Sequence, residues 1–134
     1  MNFDNYRDNV EACGVFVNEA ENHMDDAHAS GRMVEECPRW FAGLMTAQSD
    51  LTWADAYCTE AASFVDGRAF AEGEGGGFGQ EEREEARRRV RSVNLNLHDY
   101  ITHMHMLNGR MAGERERFVR SCLRPSAPRI KDGG

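Results

Sequence analysis

An all-α fold is what the sequence predicts: an antiparallel helical bundle of four or five helices, closed on itself or paired as a dimer. Three observations carry that prediction. Apolar side chains recur at alternating spacings of three and four along two long stretches, which places them on helical stripes. No segment reads as a strand. The two halves are separated by Gly73, Gly75, Gly76, Gly77 and Gly79, each costing about 1 kcal/mol in a helix relative to alanine.

The first stripe comprises Phe3, Tyr6, Val10, Cys13, Val17, Ala20, Met24 and Ala27, with mostly Asp, Glu, Asn and Arg between them. Val15 and Phe16 widen it beyond a minimal coiled-coil seam, so this helix should meet more than one neighbour. Ser30 and Gly31 offer a stop. Pro38 suits the first turn of a short helix, and residues 39–45 are apolar enough to lie across the end of a bundle. Ser49 or Asp50 then caps a further long helix running to about residue 72. Its polar residues (Thr52, Asp55, Thr59, Ser63, Asp66) form a narrow strip. Trp53, Ala54, Tyr57, Cys58, Ala61, Phe64 and Val65 fill the rest, which predicts a position inside the bundle.

After the glycines, residues 81–91 start a charged helix in which Glu84–Arg88 and Glu85–Arg89 have the favourable i, i+4 order. The stripe then returns as Val90, Val93, Leu97, Tyr100, Met104, Leu107, Met111, Phe118 and Cys122. An unbroken helix over 80–123 would be ~65 Å long, against a radius of gyration of about 14 Å for a domain of this size. A break at Asn108-Gly109 or Gly113 is therefore expected, the alternative being a projecting helix that pairs with another subunit. The whole reads as one domain over residues 1–124, with a flexible glycine-rich loop at 73–79 and a disordered tail at 125–134.

Composition narrows the function classes. No apolar run approaches the ~18 residues that span a bilayer, and the first residues lack the basic and apolar regions of a secretory signal. The expected compartment is the cytoplasm, with no membrane partner. Cys13, Cys37, Cys58 and Cys122 lie far apart with no C-x-x-C pair, and three of them sit among apolar or small residues. Reduced, structural thiols are the expectation. Residues 1–66 carry 13 acidic and three basic side chains, which argues against a nucleic-acid partner.

Several side chains could carry chemistry. His98, His103 and His105 lie within eight residues beside Asp99 and form a candidate metal site. Chelation on a helix favours ligands at i and i+3 or i+4, which this trio lacks, and no Glu-x-x-His of the di-iron bundles occurs. Arg91 and His98, with six residues between them and on one face, resemble the Arg-x(4–6)-His feature of HEPN ribonucleases, with Ser92 at the polar position after the Arg. The resemblance covers this helix alone. It implies a small all-helical RNA-cleaving domain, in which His98 is the general acid–base and Arg91 stabilises phosphate charge. The glycine run lacks the Lys and Ser/Thr of a phosphate loop and carries Glu74. Trp40-Phe41-Ala42-Gly43 is one residue longer than the Trp-x-Gly turn of export-type hairpins.

The leading expectation is thus a non-enzymatic bundle that works through contact with another protein, as a regulator, adaptor or inhibitor. Val15, Phe16, Trp40, Phe41 and Phe78 are its candidate interaction surface, with Met33, Met45, Met106 and Met111 as adaptable additions. An acidic first helix suggests a basic partner and, in the extreme, DNA mimicry. No cofactor is implied. A homodimer would give the two heptads a seam, and an assembly subunit is a further reading.

Overall fold

The computed structural model describes residues 3–31, 33–66 and 80–123. Three α-helices account for nearly all of them: α1 (Phe3–Ser30), α2 (Cys37–Asp66) and α3 (Gln80–Phe118). A single 3-10 turn, Val34–Glu36, leads into α2, and a π-helical turn, Val119–Leu123, closes α3. The loop at 73–79 and the tail at 125–134 lie outside the described residues.

Helix α2 runs antiparallel to α1, and α3 runs parallel to α1. The contacts show it: Tyr6 stacks on Phe64 at one end of the α1/α2 pair, while Gly43 meets Ala27 at the other. Tyr6 also reaches Asn94 near the start of α3, and His28 reaches Glu114 near its end. The core follows the sequence stripes. Tyr6, Val10, Cys13, Val17, Ala20, Met24 and Ala27 of α1 are buried, facing Leu44, Ala47, Leu51, Ala54, Cys58, Ala61 and Phe64 of α2. Leu97, Met104, Leu107, Met111 and Phe118 of α3 complete it.

Two expected boundaries do not exist. The short element at 39–45 and the helix after it are one continuous α2, so Ser49 and Asp50 cap nothing; Asp50 instead accepts a bond from His23 of α1. Helix α3 passes straight through Asn108, Gly109 and Gly113. Leu107 and Met111 flank Gly109 and are almost fully buried. Burying each is worth about 1.5–3 kcal/mol, against roughly 1 kcal/mol for each glycine, so packing holds the helix together. The count among the described residues is therefore three helices, not four or five.

With three helices none is interior, and α2 cannot bury its whole circumference. Trp53 is 53% exposed and Tyr57 partly so, stacked beside Phe16 of α1 on the outer surface.

The cysteines also depart from expectation. They are not free thiols: Cys13 pairs with Cys58 and Cys37 with Cys122, at Cα–Cα separations of 5.4 and 6.0 Å. The first bridge joins facing seam positions of the antiparallel α1/α2 hairpin inside the core. The second joins the start of α2 to the turn after α3. Neither partner is near the other in sequence, which is why spacing alone did not reveal them. No helix among the described residues is long and apolar enough to cross a membrane.

Candidate functional site

At the end of the bundle where α1 hands over to α2, α3 closes over the hairpin through a polar cluster. Glu114 is a carboxylate on a buried α3 position, and His28 Nδ1 donates to its Oε2 at 2.8 Å. Arg117, one turn on, brings Nη2 to 3.9 Å from Glu114 Oε1. The same guanidinium lies 4.6 Å over the Trp40 ring and donates to the His28 carbonyl at 3.4 Å, capping the end of α1. Arg117 Nη1 also stands 3.2 Å from His28 Nδ1. A nitrogen that donates to Glu114 cannot accept from Arg117, so the guanidinium is held there chiefly by its other contacts.

A second imidazole is oriented in the same manner. His23 Nδ1 donates to Asp50 Oδ2 at 2.6 Å, which leaves Nε2 facing outward, 4.0 Å from Glu19. It borders an open groove between α1 and α2 that Asp26, Ser30, Arg39 and Thr46 also line. A carboxylate-oriented imidazole has the geometry of a base. The Ser30 hydroxyl, however, donates to the Asp26 carbonyl within its own helix, and Arg39 is paired with Glu36.

The residues expected to carry chemistry are not brought together. Arg91 lies in a shallow charged depression with Glu84, Arg87 and Arg88, which His98 does not line. His98 and His105 are exposed, and His103 pairs with Glu21 of α1 at 3.4 Å. Among the described residues, no group of three or more His, Cys, Asp and Glu could hold a metal ion. The acidic residues of α1 do not form one free face either. Glu21 and Asp25 are paired across to His103 and Arg110 of α3, and Asp4 and Asp8 flank Arg7.

The apolar candidates divide. Val15 is exposed and Phe16 leans on Tyr57, whereas Trp40 is 1% exposed and belongs to the core. Phe78 lies outside the described residues. Phe41 is 51% exposed and sits in a groove of about 450 Å³ between α2 and the end of α3. Leu44, Met45 and Gln48 form one wall; Arg115, Phe118, Val119 and Leu123 form the other. Met45, Val119 and Leu123 are exposed, at 53%, 38% and 61%. Phe41-x-x-x-Met45 was visible as an i, i+4 pair in the sequence. Val119 and Leu123 were not, because their role depends on which helix faces them.

Fold and surface together define a disulfide-stapled, up-down-up three-helix bundle with an exposed apolar groove at one end. Compared with known protein families, characterised proteins and solved structures, the chain matches none.

Proposed function

We propose that this chain is a small non-enzymatic binding protein whose α2/α3 groove takes an amphipathic helix of another protein, with an acidic residue beside its apolar anchors. The observation that carries this reading is the contiguous exposed apolar surface of Phe41, Met45, Val119 and Leu123. Single exposed apolar residues need no explanation, but a grooved cluster of them marks an interaction site. Charge gives the acidic preference. Arg115 lines the groove, is exposed and has no carboxylate partner among the described residues, and no acidic residue lines the groove with it.

Two disulfides favour an oxidising compartment over the cytoplasm as the working environment. The test is a double substitution, Phe41→Ser with Met45→Ser. Both side chains are exposed, so the helical circular dichroism should stay unchanged while a protein that co-purifies with the parent chain is lost. Retention of that partner by the double variant overturns the reading.

A further inference from the structure

We infer that Cys37–Cys122 is a redox latch: a dithiol reductant opens it selectively and thereby frees the end of α3 from the hairpin.

The two disulfides differ in reach. Cys13 and Cys58 are 0% and 2% exposed, so an attacking thiolate cannot approach their sulfurs without opening the core. Cys37 and Cys122 are only partly buried, at the outer end of the bundle. Exchange requires access as well as a thiolate, so the outer bridge is the one that reacts in the folded protein. In the first step, a thiolate of the dithiol attacks one sulfur of the bridge, forming a mixed disulfide and releasing the other cysteine as thiolate. The second thiol of the reductant, as thiolate, then displaces the remaining cysteine. The reductant leaves as a disulfide, two electrons have passed to the protein, and both cysteines take up protons.

The bridges also differ in what they hold. Cys13–Cys58 ties two helices that already interlock along their length, from Tyr6 and Phe64 to Ala27 and Gly43. Cys37–Cys122 anchors the turn after α3, the last described segment of the chain. That end is also the costly one to keep closed. The two buried side-chain polar atoms that make no hydrogen bond among the described residues, Trp40 Nε1 and Glu114 Oε1, both lie there, Glu114 Oε1 having only the long 3.9 Å ion pair with Arg117. Leaving a buried polar atom without a hydrogen bond is unfavourable, and opening would let water reach both. With the bridge intact, Phe118 and Arg117 cover the Trp40 indole, edge-on and face-on. With it open, that cover can lift while the hairpin stays folded.

The experiment uses the full chain, exposed to graded dithiothreitol at neutral pH, trapped with iodoacetamide and mapped by peptide mass spectrometry. Cys37 and Cys122 should be alkylated at reductant doses at least tenfold below those that label Cys13 and Cys58. Trp40 emission, read in a Trp53→Phe background, should shift to the red over that first step while helical circular dichroism persists. The Cys37→Ser, Cys122→Ser variant should show the same red-shifted emission without reductant. The latch is overturned if both bridges open together, if Cys13–Cys58 opens first, or if the outer bridge opens with Trp40 emission unchanged. A serine variant that loses its helical signal altogether also overturns it, since the bridge would then hold the whole fold. Because its walls come from α2 and the end of α3, the groove would open with the latch; that consequence alone rests on the proposed function, and no arm of this experiment depends on it.

Discussion

Gly43 of α2 lies so close to Ala27 of α1 that a β-carbon at position 43 would stand 2.8 Å from the Ala27 methyl and 3.2 Å from its Cα. The obstacle includes backbone, which cannot swing aside as the tip of a side chain can. Gly43→Ala should therefore splay the hairpin and cost about 1–3 kcal/mol, in spite of alanine's better helix propensity. Gly109 and Gly113 are the internal control, because a β-carbon at either meets nothing within 4 Å. Gly109→Ala and Gly113→Ala should each stabilise by up to about 1 kcal/mol. Urea denaturation of the three variants against the parent checks the opposite signs.

Removing the inner bridge should be felt globally. On the chain-entropy argument, closing its 45-residue separation is worth up to about 4 kcal/mol, and Cys13→Ala with Cys58→Ala also leaves voids between α1 and α2. A loss of at least about 2 kcal/mol is expected in equilibrium unfolding. A stability unchanged from the parent would mean that the bridge contributes nothing to the fold.

Alkaline pH should weaken the other end of the bundle. Burial of Tyr6 raises its phenol above the ordinary value of 10.0, so the folded state keeps a proton that the unfolded chain releases first. The stability tied to this group is complete below pH 10 and is lost as pH climbs from there through the raised value. Tyr6→Phe removes the ionisation and gives up only the long 3.4 Å bond to Asn94 Oδ1, a cost of less than about 1 kcal/mol at neutral pH. Between pH 9 and pH 11 the variant should lose less stability than the parent. Equal losses would place the alkaline sensitivity elsewhere.

Glu114 should matter more than its single hydrogen bond suggests. Replacing it by alanine leaves His28 and Arg117 without the carboxylate that joins α1 to α3 at that end. A double-mutant cycle with His28→Ala and Glu114→Ala should show coupling of about 1 kcal/mol or more, because a partly buried charged acceptor is involved. Additive losses would show that the pair is incidental.

Much of the fold was legible from the stripes alone. Every α1 stripe residue from Tyr6 to Ala27 is buried, as are Leu97, Met104, Leu107, Met111 and Phe118 of α3. What the stripes could not reveal was where local signals lose to packing. Asn108-Gly109 is a strong stop on an isolated chain, yet Leu107 and Met111 hold the helix through it by burial. Asp50 looked like a cap, but it lies part-buried within a continuous α2, where His23 of α1 claims its carboxylate. Trp40 and Phe41 are apolar neighbours that both touch Phe118 of α3, yet Trp40 falls in phase with the buried Leu44, Ala47 and Leu51 and is core, while Phe41 is turned out to the surface. Cysteine pairing was hidden for the same reason, since both bridges join residues that only the helix order brings together.

The groove around Phe41 is the proposed contact surface for another protein. That role is tested most directly by photo-crosslinking in the cells that make this chain, with benzoylphenylalanine placed at position 41 and, as a control, at the equally exposed Val15 position on α1. One discrete protein adduct is expected from position 41, lost when Arg115→Glu is added, and none from position 15. An adduct from position 15 alone, or adducts from both that ignore Arg115→Glu, would contradict it.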